Sequence, residues 1–259
     1  MSRTGRGQMM MLGYRGERCA GDVGGADPDI PDDRDTADPS GPLEPDARTE
    51  EGAPREVGVG PWPGGRDDWP DDPRYDRALL ADGDRRNVVD RYRYWTIEAI
   101  RADLADRAHP LHVAVENVAQ DLNIGSIVRT ANAFNVAAVH IIGRRRWNKR
   151  GAMVTNRYLD VRHHPEPDAL LEWAAEAGYE VVGIDNGPRA ELLEEAVLPE
   201  RCLMVFGSEG EGISPALLAR CSRVLRIGQY GSTRSINVAA AAAVAMHTWV
   251  LQHAGPAPD

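Results

Sequence analysis

The sequence predicts an α/β domain, a mostly parallel sheet flanked by helices, preceded by a disordered leader. Three observations lead there. From Leu111 onward, short aliphatic runs alternate with longer stretches of helical spacing. Two of those runs end in glycine-bearing polar loops that open into helices. Residues 1–86, by contrast, are dense in Asp, Pro, Gly and Arg and hold few apolar side chains to offset the entropy of ordering.

The leader carries runs such as Pro28-Asp-Ile-Pro-Asp-Asp33, Asp38-Pro-Ser-Gly-Pro42 and Gly60-Pro-Trp-Pro-Gly-Gly65. It holds 20 acidic and 12 basic residues, against 20 and 18 in the rest of the chain, so most of the overall net charge of −10 sits there. The remainder is nearly balanced, which suits a nucleic-acid partner if its cations cluster. They do: Arg144, Arg145, Arg146, Lys149 and Arg150 surround Trp147 directly after an aliphatic run. Arginine grips phosphate with two parallel bonds, and an indole stacks on an unpaired base, so this loop is the predicted RNA-binding segment. Asn156, Arg157, Tyr158, Arg162, His163 and His164 extend the same polar, aromatic surface.

Asn87 to Arg107 mixes Val88, Val89, Tyr92, Trp95, Ile97 and Ile100 with regularly spaced charges, which predicts a helical extension over 87–110 ahead of a domain at 111–259. In that domain strands are expected at Leu111–Glu116, Ala137–Ile142, Glu180–Ile184, Cys202–Phe206 and Arg223–Ile227. Helices are expected at Asn123–Ala133, with Asn123 as N-cap, and at Asp168–Ala177, Pro215–Arg220 and Ser235–His253. A short helix is expected near Ala190–Ala196. Cys19, Cys202 and Cys221 lie far apart with no Cys-x-x-Cys pair, which points to a reducing cytoplasm. The apolar run Val238 to Met246 is too short to cross a bilayer, and no continuous stretch has signal-peptide character. His163 and His164 have no further metal ligand at the usual spacing, so no metal site is expected and both read as surface histidines.

The densest motif is Leu203 to Ser214, an apolar strand entering a turn with Gly207, Glu209, Gly210 and Gly212. It lacks the third glycine of a dinucleotide fingerprint, the Gly-Lys-Ser/Thr of a P-loop, and the spacing of a nucleophile elbow. Alone it is either a ligand-holding loop or a plain strand-to-helix turn. Asn123 to Asn132 reads alone as an amphipathic crossover helix with a solvated Arg129, and Leu225 to His247 as a strand, a polar loop and a buried terminal helix.

Together, in this order, the three segments resemble the signature motifs of the SpoU/TrmH branch of the SPOUT RNA methyltransferases. Asn123 and Arg129 match the first motif; Gly207, Glu209 and Gly212 the second; Ser235, Ile236, Asn237 and Val238 the third. The resemblance covers roughly Leu111 to Gln252. It implies S-adenosylmethionine as cofactor, a ribose 2′-hydroxyl of tRNA or rRNA as target, a homodimer, and a deep trefoil knot made by threading the last helix. It further implies that backbone groups at Gly207, Ile227 and Ile236 hold the cofactor, with Gly228 close by, and that Arg129 is the catalytic residue. The resemblance also implies that Asn123, Ser235 and Asn237 are orienting residues and that Glu209 either attracts the sulfonium or anchors its loop. Asn237 is expected to be buried. A guanidinium is effectively never neutral, so Arg129 reads as a phosphate holder and stabiliser of developing alkoxide charge rather than a base, with phosphate or water taking the proton. The short helical extension favours tRNA over ribosomal RNA, and the acidic leader would repel RNA. Two rivals are weighed. A non-catalytic RNA-binding or assembly factor would have damaged motifs, and a doubly wound nucleotide enzyme would need a glycine fingerprint after Glu116, which is absent.

Overall fold

In the computed structural model of the chain, the described residues are 58–116, 121–143, 145–208 and 210–256, without the side chains of residues 121 and 122. Seven strands form one sheet: β1 (His109–Glu116), β2 (Val136–Ile142), β3 (Asp160–His164), β4 (Glu180–Ile184), β5 (Glu191–Leu192), β6 (Cys202–Phe206) and β7 (Arg223–Arg226). Their order is β3-β2-β1-β6-β4-β7-β5, and every neighbouring pair is parallel. Parallel pairing explains the sequence pattern. Both faces are covered, so the central strands are near-continuous aliphatic runs rather than clean alternations.

Among the described residues six α-helices accompany the sheet: α1 (Arg77–Asp82), α2 (Ile97–Asp106), α3 (Asp121–Ala133), α4 (Pro167–Glu176), α5 (Pro215–Leu218) and α6 (Val238–His253). One face of the sheet presents Leu111, Val113, Val115, Ile141, Met204 and Phe206 to α3 and α6. The other presents Ala114, Leu203 and Val205 to Leu170, Leu171 and Ala174 of α4 and Leu217 of α5. Small residues of α6, Ala242 and Ala245 among them, are buried beside Ile124, Ile127, Val128 and Ala131 of α3. The C-terminal half of α6 is fastened at Trp249 Nε1, which donates to Pro199 O at 2.9 Å, and at Gln252, which bonds Leu198 N and Ala196 O. No helix among the described residues is long and apolar enough to cross a membrane.

Several expected boundaries move. β3 was not expected at all: Asp160-Val-Arg-His-His164 has a single aliphatic residue, and it forms an edge strand with little buried surface. The expected helix near Ala190–Ala196 is instead β5 followed by a 3-10 turn at Leu193–Glu195. Asn123 lies inside the first turns of α3 rather than at its N-cap, and α6 starts at Val238, three residues after the expected Ser235.

The largest correction concerns the leader. Residues 1–57 lie outside the described residues, but 58–86, assigned to the same disordered segment, are folded. Val59 pairs with Asp84 and Tyr75 with Trp95 in antiparallel bridges, and Leu80 is fully buried. Asp84 is also fully buried, accepting from Arg86 N, Nε and Nη2 and from Tyr94 N at 2.6–3.0 Å. Burial works against its carboxylate, but the Arg86 bonds and the Tyr94 N–H outweigh it and hold the pKa below the usual range. Trp62 meets Tyr75 and Tyr94 edge-on, and Trp95 meets Tyr75 and Tyr92. A count of aliphatic residues misses this segment because its buried area comes from large aromatic rings. The expected extension at 87–110 resolves into a 3-10 turn at Asp90–Tyr92 and α2, whose Ile100 joins Tyr92, Trp95 and Tyr158 in a separate cluster.

Candidate active site

The C-terminal ends of β4, β6 and β7 and the start of α6 enclose a cleft of about 690 Å³. Ligand sites outside the carboxyl ends of parallel strands are the general rule for open α/β sheets. Ile184, Phe206, Ile227, Ile236 and Val238 give it apolar walls, and Asp185, Glu211, Arg226, Arg234 and Gln229 supply its polar groups.

Backbone builds one side of the cleft. Ser208 and Gly212 exchange two hydrogen bonds, at 3.1 and 3.0 Å, and so close a tight loop after β6. A Cβ on Gly207 would lie 1.9 Å from the Gly212 carbonyl carbon, and Gly212 itself has φ of 71°, so both positions demand glycine. Two carboxylates from distant strand ends hold the loop exit. Asp185 Oδ2 accepts from Ile213 N at 2.9 Å and Glu116 Oε2 from Ser214 N at 2.8 Å. The Ser214 side chain caps α5, accepting from Leu217 N. Glu209 lies outside the described residues.

The other side comes from β7 and its loop. Ile227, Ser235, Ile236 and Asn237 line the cleft together with Gly207. Gly228 does not; its N–H is spent on Glu194 Oε1 at 2.8 Å. Asn237 is exposed rather than buried. It caps α6, its Oδ1 accepting from Ala239 N and Ala240 N at 2.9 and 3.3 Å. That leaves Nδ2 to donate to Asn123 Oδ1 at 3.0 Å, which joins the third motif to the first. Gln229 Oε1 is buried and accepts no hydrogen bond among the described residues.

Arg129 stands apart. It is exposed on the outer face of α3, beside Ser126 and Ala133, and it is not among the residues lining the cleft. Among the described residues its side chain makes no hydrogen bond or ion pair. One chain thus gathers Asn123, Gly207, Ile227, Ser235, Ile236 and Asn237 and leaves the expected catalytic arginine outside. Sequence reading missed Glu116, Asp185, Arg226, Gln229 and Arg234. The available signals were the positions of Glu116 and Asp185 at the ends of aliphatic strands and of Gln229 and Arg234 in the polar loop before the last helix.

Of the expected RNA-binding loop, Arg144 lies outside the described residues. Arg145, Arg146, Lys149 and Arg150 are exposed. Trp147 is half-buried and packs against the main core. Two residues of the adjoining surface turn elsewhere. Tyr158 is buried beside Tyr92 and Trp95. His164 is half-buried at the end of a row of imidazoles: His112 Nδ1 bonds His140 Nε2, and His140 Nδ1 bonds His164 Nε2, each at 2.9 Å. Each ring offers one donor and one acceptor, so the row satisfies itself while neutral. Burial pushes His112 down to about 4 and His140 lower still, with the neighbouring imidazoles and Arg162 adding to the effect on His140.

Residues 110–247 match the SpoU rRNA Methylase family. An uncharacterized tRNA/rRNA methyltransferase of Synechocystis sp. is 29% identical over 171 residues, covering 60% of this chain and 42% of that protein. The chain spans about half the length, or less, of the first such curated relatives. A solved structure described as giving insights into the 2-OH methylation of C/U34 on tRNA is 30% identical at a TM-score of 0.50, covering 56% of this chain and 96% of that one. The SpoU methyltransferase AviRb from Streptomyces viridochromogenes, in complex with AdoMet, is similar in fold at a TM-score of 0.51 and 24% identity, covering 54% and 57% of the two chains.

Proposed function

Because the chain belongs to the SpoU rRNA methylase family, we propose that it transfers the methyl group of S-adenosylmethionine to a ribose 2′-hydroxyl of RNA, with tRNA the favoured substrate. The observation that carries this reading is the cleft where the second and third motif loops meet, tied to the first motif through the Asn237–Asn123 bond. The tRNA preference draws on the 30% identical neighbour whose description names 2-OH methylation of C/U34 on tRNA.

The cleft's residues fit that cofactor. Ile184, Ile227 and Ile236 suit the two faces of an adenine ring, and Gln229 Oε1 is a buried acceptor suited to an exocyclic amine. Asp185 and Glu211 put negative charge near a sulfonium, and Arg226 and Arg234 put positive charge near a carboxylate. When bound, S-adenosylmethionine supplies an activated methyl group on a positively charged sulfur. The protein's remaining task is to align the ribose oxygen and stabilise the charge it develops. Arg129 performs the second part: its fixed positive fork holds the adjacent phosphate and the nascent alkoxide, while phosphate or water takes the proton.

Arg129 does not line the cleft of its own chain, and in this reading a second copy of the chain brings it there in a homodimer. The exposed stripe of α6 supports this. α6 is apolar on all sides, and its outer stripe of Ala240, Val244, His247 and Leu251 leaves Val244 43% and Leu251 72% exposed. A helix of that kind is normally buried. In the same reading α6 is the threaded element of a trefoil knot.

The test is to incubate the full chain with methyl-labelled S-adenosylmethionine and separate pools of tRNA and ribosomal RNA. Alkali-resistant label at one ribose, stronger in tRNA, is expected. Label released as a methylated base, or no label in either pool, contradicts the proposal.

A further inference from the structure

At the same edge of the sheet, beyond the ends of β2 and β3, lies a second cavity of about 550 Å³. Ile141 and Val161 floor it, Trp147 walls it, and Arg145, Arg162 and His163 rim it. Its described lining residues include no carboxylate. β2 lies two strands from β6, so the strands that carry the two cavities are roughly 10 Å apart across the sheet.

The side chains are held for use. The indole of Trp147 is packed against the core, as is Val161, so a base stacking on it would cost little ordering of the protein. His163 Nε2 lies 2.9 Å from Gly143 O. A carbonyl only accepts, so Nε2 carries a proton and Nδ1 is left for a ligand. Arg162 Nε donates to Asp160 Oδ2 at 2.8 Å and its guanidinium lies 5.6 Å from the Trp173 ring, so it borders the cavity but is held toward the α4 face of the sheet. Arg145 is exposed and, among the described residues, makes no hydrogen bond or ion pair. A fixed aromatic wall, an apolar floor and an exposed arginine at the rim suit a flat ring joined to an anion.

Resting on the RNA methyltransferase reading, we propose that this cavity is a stacking subsite for one unpaired nucleotide near the methylated ribose, its base on Trp147 and its phosphate on Arg145. The substrate class that follows is RNA with a loop or single-stranded segment at the target, because a paired base cannot leave its stack to enter.

The test uses binding, so that it stands apart from catalysis. Fluorescein-labelled single-stranded oligouridylate, and its duplex with oligoadenylate, are titrated into the full chain and into Trp147→Leu, Trp147→Phe and Arg145→Ala, with S-adenosylmethionine affinity measured in parallel by calorimetry. Trp147→Leu should weaken the single strand about 5- to 100-fold, Trp147→Phe should restore most of it, and cofactor affinity should stay unchanged. Arg145→Ala should lower the salt dependence by about one released ion. Equal affinity for strand and duplex, or undiminished single-strand binding by Trp147→Leu, overturns the proposal. So does a Trp147→Leu defect that Trp147→Phe shares and that extends to the cofactor, since it marks a packing role only. Absence of methyl transfer by a wild type that still binds through Trp147 counts against the reaction and leaves the subsite standing.

Discussion

The two cavities on the sheet rim are built by opposite means. The cleft at β4, β6 and β7 is shaped by backbone: two obligatory glycines, a loop closed on itself, and a helix cap. The cavity at β2 and β3 is shaped by side chains, an indole and an arginine from the loop after β2 and an arginine and an imidazole from the edge strand β3. The first should fail when a single methyl group is added, and the second should fail only when a particular side chain is removed.

The largest effect expected from that contrast is at Gly207. Gly207→Val would drive a side chain into the Gly212 carbonyl, so cofactor binding should be lost in calorimetry while the thermal transition survives; retained binding would break the contrast. Next is Arg129, which lies in neither cavity of its own chain. Arg129→Ala should lower kcat by roughly 10²–10³-fold, and Arg129→Lys should lose most activity for lack of the planar fork, both with unchanged cofactor affinity. Mixing Arg129→Ala with Gly207→Val chains should restore activity, because a mixed dimer assembles one intact cleft with one intact arginine. No recovery would mean that arginine and cleft belong to the same chain.

Asn237→Ala should cost about 1 kcal/mol of stability through the lost cap and weaken the cofactor several-fold by releasing Asn123; unchanged calorimetric binding would count against this role. The mildest effect is with pH. His112 and His140 bind protons more readily when unfolded, near pH 6.5, than when folded. Stability is therefore full above pH 6.5 and declines as pH falls toward 4, by about 3 kcal/mol from His112 alone. Because these rings span β1, β2 and β3, acid should weaken single-strand RNA binding before cofactor binding. A melting temperature flat from pH 7.5 to 4.5 would contradict it.

The same contrast explains what could be read from the sequence. Backbone geometry is set by consecutive residues, so Gly207, Gly212, Ser235 and Asn237 announced the cleft, and the aliphatic runs of β1, β2, β4 and β6 announced the sheet. The supports of the loop, Glu116 and Asp185, were hidden because they reach it from far along the chain. β3 was hidden because an edge strand needs few aliphatic residues. Asn237 looked buried because its helix is apolar, whereas a cap by its geometry sits at the rim. Residues 58–86 looked too polar to fold because their packing is carried by a few aromatic rings and one buried Asp84–Arg86 pair.

Calorimetric titration of S-adenosylmethionine into wild type and Gly207→Val, run side by side with their thermal melts, tests the backbone-built cleft most directly. Saturable binding by the wild type and none by a folded Gly207→Val is the expected result. A wild type that does not bind, or a variant that binds equally well, would contradict it.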